Sequence, residues 1–455
     1  MTGRPFLTVC AVAVLALSSA PTRAQEENVP SGPLSVEDAV RIALDRNSDI
    51  AIAAGSAAAA RGRALSSYSG VLPRVDASAG YSHESITGPR NPEDIGSAIR
   101  GTTKSDGQAA DVNLNQSIFS WSNIQDIKSA KASARASGGL AEASRLDVAL
   151  ATRTQYYELY KAEQLRAVRQ EGVTLAQDQL ERAETLFELG SVARNDVLQA
   201  RVNLQQARLD EISARNAVEV QRARLAQILG LSVITPLEIS STIPPPGPLA
   251  AEVDSAAIYR QALEERPDLA AAREIVNSAQ ADLGSAKADY YPELFGRANL
   301  FWNWRRGVDV VGAREIDNDS NGWSAQAGVQ ISVFDGLLRE GQVNAAKGSL
   351  ASERSRLYQQ QLAVQVEVKE AILGVREASQ SIAAAQEGVG LAEENLKLAQ
   401  ERYQVGSGTI LELNEAQQSL TESRSALVDA EAALRVAEAR LDRARGGGLP
   451  PGSTP

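Results

Sequence analysis

The sequence is short of the groups that do most protein chemistry. Of 455 residues, one is cysteine and one is histidine. Cys10 lies inside a stretch read below as a removed leader, so the mature chain has no disulfide, no thiolate ligand and no thiol nucleophile. His83 stands alone, and no set of ligating residues has credible metal spacing. No Gly-rich loop follows a strand pattern to cradle phosphate. An enzyme, a cofactor and a metal centre are therefore not expected. Basic stripes are missing too: the formal charge is -11, which argues against a nucleic-acid partner. Aromatics make up only 4% of the chain. No segment after the leader has ~18 consecutive apolar residues, so no transmembrane helix is expected. A membrane crossing would require a closed β-barrel.

Residues 1–24 read as a signal peptide. Arg4 supplies the positive start, Phe6 to Leu17 the apolar core, and Thr22-Arg23-Ala24 a cleavage site before Gln25. The Leu-Thr-Val before Cys10 is a poor lipidation box.

What the chain does have is heptad order. Val368, Val375, Ile382, Val389, Leu396 and Tyr403 recur every seven residues, with Ala371, Ala378, Ala385, Ala392 and Ala399 three residues behind. After the turn RYQVGSGTILELNEA come Leu413, Leu420, Leu427, Leu434 and Leu441, accompanied by Ala416, Ser423, Ala430, Ala437 and Ala444. A large residue on one seam and alanine on the other lets two antiparallel helices approach closely, and the seven-residue period implies a left-handed supercoil.

The hairpin occurs twice. ALDRNSDI at 43–50 corresponds to ALEERPDL at 262–269, Leu72-Pro73 to Tyr291-Pro292, Phe119-Ser120-Trp121 to Phe334-Asp335-Gly336, and Gly190-Ser191 to Gly406-Ser407. The offset stays between 215 and 219 residues, which marks an internal repeat. The first repeat is set at 25–235, a Pro-rich linker at 236–250, the second repeat at 251–445 and a disordered tail at 446–455.

Each repeat opens with a helix, the first running from a capping box at Ser35 and Asp38 to about Gly70. Two strands of about ten residues follow. Val75, Ala77, Ala79 and Tyr81 alternate with Asp76, Ser78, Gly80 and Ser82; Ala110, Val112, Leu114 and Ile118 alternate with Asp111, Asn113, Asn115 and Ser117. In the second repeat Leu294, Ala298, Leu300, Trp302 and Trp304 oppose Arg297, Asn299 and Asn303, and Trp323 to Val333 alternate likewise. Residues 86–107 and 305–321 read as polar loops, with His83 on a polar strand face. Trp302, Trp304 and Trp323 flank the second loop, as an aromatic girdle would. Trp121 to Leu189 then reads as one helix of ~65 residues, ~100 Å long, too long for a globular core. FELGSVARNDVLQA forms its turn, and a returning helix reaches about Leu229.

Four strands cannot close a barrel, and an open edge is not viable in lipid. Three copies would supply twelve. In these features the whole mature chain resembles the TolC-type outer-membrane efflux proteins. Their helix–strand–strand–helix–helix repeat, the Leu-Pro and Phe-Asp-Gly junctions and both turn phrases stand in this sequence. The resemblance implies a mainly α fold with a β-barrel part: two repeats per chain, four transmembrane β-strands and long antiparallel helices. A homotrimer would join a 12-stranded β-barrel in the outer membrane to an α-helical barrel across the periplasm. It implies an exit duct for efflux or secretion, with a periplasmic adaptor (membrane fusion) protein, an inner-membrane pump and outer-membrane lipid as partners. It also implies a periplasmic gate of Tyr403 and Asp196. The family's gate arginine falls at Gly408, so Arg194 is the candidate substitute. Glu412 and Glu415 match an acidic ring of the pore. Gly190, Ser191, Val405, Gly406 and Ser407 match the adaptor-docking turns. The competing reading is a periplasmic coiled-coil structural or adaptor protein without a channel; duplicated amphipathic strand pairs argue against it.

Overall fold

The structure is a computed structural model, and it describes residues 32–89, 100–240, 255–309, 314–450. The expected leader lies outside the described residues. Ser35 caps the first helix, α1 (Val36–Arg46), accepting from the Asp38 amide at 3.1 Å. The single helix expected to Gly70 is two. Asn47 separates α1 from α2 (Ser48–Ser66) and serves three ends at once. Its amide bonds the Ala43 carbonyl, its Oδ1 accepts from the Asp49 amide, and its Nδ2 donates to the Ile228 carbonyl at 2.9 Å. A short amide that both stops one helix and starts another is a frequent cap, which a reading of apolar period alone passes over.

The second repeat makes the same break with different chemistry. α5 (Ser255–Glu265) and α6 (Pro267–Ala286) are divided at Arg266, because Pro267 cannot donate to α5 yet suits the first turn of α6. Arg266 is 3% exposed. It bonds Asp268 and Glu367 at 2.7 Å and the Ala444 carbonyl at 3.3 Å. Asn47 and Arg266 thus hold the same point, the end of a returning helix.

Two long hairpins carry most of the chain: α3 (Trp121–Glu188) with α4 (Arg194–Ile228), and α7 (Leu338–Gln404) with α8 (Ile410–Ala444). At 1.5 Å per residue, the 68-residue α3 is ~100 Å long. The heptad positions behave as read: every rung from Val368 to Tyr403 and from Leu413 to Ala444 is buried or half-buried. The first hairpin differs at its tip. Phe187, the counterpart of Tyr403, is 44% exposed while Tyr403 is 5%.

The hairpins are tied through α3 and α8, which run antiparallel. Asp147 pairs with Arg443 at 2.9 Å, Arg153 with Asp442 at 3.5 Å, and Lys161 with Asp429 at 3.8 Å. Glu171 follows with Arg424, and Gln179 Nε2 donates to Asn414 Oδ1 at 2.7 Å. Each partly exposed ion pair contributes at most about 1 kcal/mol, so the series sets register more than stability. Arg424 also reaches Glu393 of α7.

The sheet is one antiparallel meander, β1 (Arg74–Pro89), β2 (Arg100–Phe119), β3 (Glu293–Asp309) and β4 (Arg314–Gln330). β2 pairs with β3, so the two repeats share one sheet, and the outer edges of β1 and β4 have no partner strand among the described residues. The strands run 16 to 20 residues rather than about ten. The stretches read as loops are largely strand, because Gly, Ser and Asp satisfy the ladder through backbone groups whatever their side chains prefer. Residues 90–99 and 310–313 lie outside the described residues.

The register resolves the faces row by row. Val75, Leu114, Ala298 and Ala325 lie side by side; above them come Ala77, Val112, Leu300 and Trp323, then Ala79, Ala110, Trp302 and Asn321, then Tyr81, Gln108, Trp304 and Asp319. His83 belongs to this face and not to the polar one: it pairs with Asp106, whose carboxylate it contacts at 2.7 Å, as does the Tyr81 hydroxyl. The strand period places 83 with 81, and the apolar pattern ends there.

Two boundaries shift. Residues 236–240, assigned to the linker, are packed: Leu237 and Ile239 are buried, and Ile239 bridges Leu34. Residues 241–254 lie outside the described residues. Of the expected disordered tail, Gly446 to Pro450 is described, and Leu449 packs against Val40, Leu44 and Ala149. Residues 451–455 are outside.

Candidate functional site at the hairpin tips

Both long helices end the same way. At the end of α3 the Ser191 amide reaches back to the Leu186 carbonyl at 2.9 Å and the Gly190 amide to Phe187 at 2.9 Å. At the end of α7 Ser407 bonds Arg402 at 2.9 Å and Gly406 bonds Tyr403 at 3.1 Å. This paired closure is the Schellman motif, and it requires a left-handed residue. Gly190 has φ 75° and Gly406 φ 73°, a region where a side chain would strain. The closing residues of α4 and α8 repeat the pattern at Gly230 and Gly446. All five residues expected in the docking turns are therefore at the helix ends; Val405 is 78% exposed.

The two tips meet. Leu396, Tyr403, Leu413, Ala416 and Leu420 form one cluster, with Leu186 and Val192 of the first hairpin packed against it. A cavity of about 490 Å³ opens beside it, lined by Leu175, Gln179, Arg182, Leu186, Tyr403 and Leu413.

The expected gate residues are only partly joined. Tyr403 Oη is buried and has no hydrogen-bond partner among the described residues, so the expected bond to Asp196 is not made in a single chain. The two groups still sense each other: burial, and secondarily the Asp196 charge, push the Tyr403 phenol above its usual range. Asp196 is half-buried in the first turn of α4, where the helix dipole favours a carboxylate. Arg194 is exposed at the start of α4 and makes no ion pair or hydrogen bond among the described residues, so it does not replace the absent arginine here.

The arginine that does act at the tip is Arg402, which the sequence reading missed. Its Nη1 lies 3.5 Å from Glu412 Oε2, and its Nη2 donates to the Ser407 carbonyl at 3.4 Å. Arg402 stands one residue before Tyr403, on the opposite side of the turn from Gly408. Glu412 sits in the first turn of α8, its amide capped by Thr409 Oγ1 at 3.2 Å. Glu415 is exposed one turn on, away from the buried Leu413 and Ala416 stripe. Gln179 and Asn414, joined across the hairpins, were also unforeseen. Pairing between distant helices has no local signature.

Among the described residues no group of His, Cys, Asp or Glu is placed to hold a metal. No described helix is long and apolar enough to cross a membrane.

Comparison with known proteins adds the following. The sequence model of a family described as "Outer membrane efflux protein" matches residues 39–231 and 258–447, one match per repeat. Protein CyaE of Bordetella pertussis is 28% identical over 220 residues, 48% of this chain and 44% of that protein. The alkaline protease secretion protein AprF of Pseudomonas aeruginosa is 31% identical over 182 residues, 36% of this chain and 35% of its own length. The chain thus spans under half the length of either curated relative in those matches. Over nearly the whole chain the fold is similar to that of the outer membrane protein VceC of Vibrio cholerae. The TM-score is 0.75 at 19% identity, covering 91% of this chain and 97% of that one.

Proposed function

This chain belongs to the outer membrane efflux protein family, and on that premise we propose that three copies form an outer-membrane exit duct. The observation that carries the reading is the sheet: four strands, one apolar face and two unpaired edges. In lipid each free edge needs a partner strand. Joining β4 of one copy to β1 of the next closes twelve strands around a lumen.

The dimensions support this. From Leu294 to Trp304 the outward face runs ten steps, about 33 Å along the strand at ~3.3 Å per residue. Tilted as in membrane barrels, that spans a band of ~25 Å. Tyr81, Trp302, Trp304 and Trp323 mark one edge of the band; Trp121 and Tyr291, in contact at 6.2 Å between ring centroids, mark the other. The long hairpins leave that second edge and form the periplasmic tunnel.

In this reading the meeting point of the tips is the gate. Asp196 and Tyr403 latch it within the trimer, where Arg194, exposed at the start of α4, faces the neighbouring copy. Glu412 and Glu415 line the axis as six carboxylates and favour cations. Gly190, Ser191, Val405, Gly406 and Ser407 receive a periplasmic adaptor, and an inner-membrane pump delivers the cargo. The duct carries no catalysis and no cofactor.

The test is cheap. Outer-membrane fractions should contain a detergent-resistant trimer that conducts in planar bilayers. A monomer found free in the periplasm sinks the proposal and returns the adaptor or coiled-coil reading. Bulky substitution at Gly190 and Gly406 should abolish export while leaving trimers in the membrane.

A further inference from the structure

The polar face of β3 carries a pattern that the duct reading leaves unexplained. Its alternate positions are Phe295, Arg297, Asn299, Phe301, Asn303 and Arg305. Two phenyl rings are out of place on a face that otherwise shows Ser, Asn, Gln, Gly and charged groups.

Both rings lie across the neighbouring strand. A Cβ on Gly322 would come within 2.8 Å of the tip carbon of Phe301, and one on Gly328 within 2.8 Å of the tip carbon of Phe295. These are the register partners, Phe301 with Gly322 and Phe295 with Gly328. Covering glycine is one structural use of an aromatic. A ring lying flat on the sheet leaves its other face to the lumen.

The two arginines are distinctive as well. The Arg297 guanidinium stacks 4.8 Å from the Phe295 centroid, a cation–π contact that orients it without neutralising it. Neither Arg297 nor Arg305 has a carboxylate partner among the described residues. The carboxylates of the same face are engaged elsewhere. Asp76 pairs with Arg74 at 3.0 Å, Glu293 accepts from Ser120 at 2.9 Å, and Asp111, the register neighbour of Phe301, accepts from Ser78 and Asn113. Glu84 lies one row beyond Arg305 and two strands away, about 10 Å at ~4.8 Å per strand. The strip therefore shows aromatic faces and unpaired positive charge in alternation, Phe301 about 13 Å from each of Arg297 and Arg305.

We propose that this strip is a luminal binding track for aromatic carboxylates, three tracks per barrel. It rests on the duct reading, which makes the polar face the lumen wall. The ring of the solute stacks on Phe301 while its carboxylate takes Arg297 or Arg305 by charge-assisted hydrogen bonds. Two arginines flanking one ring let the solute hand its carboxylate from one end of the track to the other.

Equilibrium dialysis of naphthalene-2-carboxylate against the purified trimer tests it, with 2-naphthylmethylammonium as the cationic comparison. The carboxylate should bind the wild-type trimer at least about tenfold tighter than the ammonium, the ratio expected of one charge-assisted contact. Arg297→Gln with Arg305→Gln should remove that preference. Phe301→Leu, which keeps Gly322 covered but lacks the ring face, should weaken the carboxylate several-fold, about the value of one stacked pair. Equal binding of both probes, or unchanged affinity in the double variant, overturns the track. If the same trimer conducts in bilayers while this happens, the track alone fails; if no conducting trimer exists, the duct reading fails and takes the track with it.

Discussion

Gly408 sits directly on the backbone of Arg402. A Cβ there would lie 3.0 Å from Arg402 Cβ and 3.2 Å from the Tyr403 amide nitrogen, and the Gly408 amide already bonds the Arg402 carbonyl at 2.9 Å. A side chain at the position where the family's gate arginine is expected would therefore require the Arg402 backbone to give by a few tenths of an ångström. Gly408→Ala should push the Arg402–Tyr403 segment away from the turn and raise single-channel conductance. Gly408→Arg should do the same and not restore a latch. Conductance at the wild-type level in both would show that the turn yields without disturbing the tip.

Tyr403 and Asp196 should act as one unit. A buried hydroxyl without a partner costs about 1–3 kcal/mol, so the trimer is expected to supply its bond. Tyr403→Phe and Asp196→Ala should then raise conductance by similar factors, and the double variant by no more than either. Arg194→Ala should matter only if it reaches a neighbouring copy. Additive effects at 403 and 196 would separate them.

Arg402 should mask the acidic ring. Its contact to Glu412 at 3.5 Å is solvent-exposed, so the pair contributes little stability but offsets one charge of the proposed ring. Arg402→Ala should increase cation selectivity, and Glu412→Gln with Glu415→Gln should reduce it. Reversal potentials under a salt gradient read both, and identical potentials in all three proteins would remove Glu412 and Glu415 from the pore.

Arg266 holds the second repeat together. Replacing it by alanine leaves Glu367 with Arg443 alone and strips Asp268 of its partner. Breaking a buried pair of this kind costs about 3–5 kcal/mol, read as a lower unfolding temperature of the trimer. Burial alone would raise the Asp268 pKa, but the bond and charge of Arg266 outweigh it and lower the net value. A depressed folded pKa gives stability that is present above the ordinary value of 3.8 and is lost as the pH falls through the folded value. The wild type should lose stability below about pH 4, and Arg266→Ala should flatten that limb.

Tyr156 should set the alkaline limit of the first repeat. Burial pushes its phenol up to about 12 from 10.0, and its hydroxyl donates to the Leu34 carbonyl at 2.9 Å. The raised folded value means the stability is intact below pH 10 and is lost between 10 and about 12, of order 2–3 kcal/mol in all. Tyr156→Phe should lose about 1 kcal/mol at neutral pH and lack that alkaline step in a chemical denaturation series.

Much was legible in the chain because periods are local. The rungs from Val368 to Tyr403 are buried as their spacing requires, and the Gly190 and Gly406 turns stand where the two phrases break the helical pattern. The strand faces could be read through Tyr81, but not at His83, where the alternation of side-chain type stops and only the pairing with Asp106 tells which way the residue points. Strand length was underestimated for a related reason. Backbone pairing continues where side chains no longer favour it, and the partner strand decides where it ends.

The site divides the same way. Tyr403, Asp196, Glu412 and Glu415 were proposed from phrases, and their bonds were not legible there. Arg402 reaching Glu412, and Gln179 reaching Asn414 across two repeats, depend on how α3 is laid against α8. By itself the sequence determined the repeat, the periods, the ends of the long helices at the tips and most of the two faces of the sheet, since these rest on hydrophobic spacing and on the conformational preferences of single residues. Only the tertiary structure decided that the repeats share one sheet, that Gly408 is sealed against Arg402, and that a lone strand aligns two phenyl rings with two unpaired arginines. Each of those is a matter of which distant backbone lies alongside, and burial and charge act there through space and not along the chain.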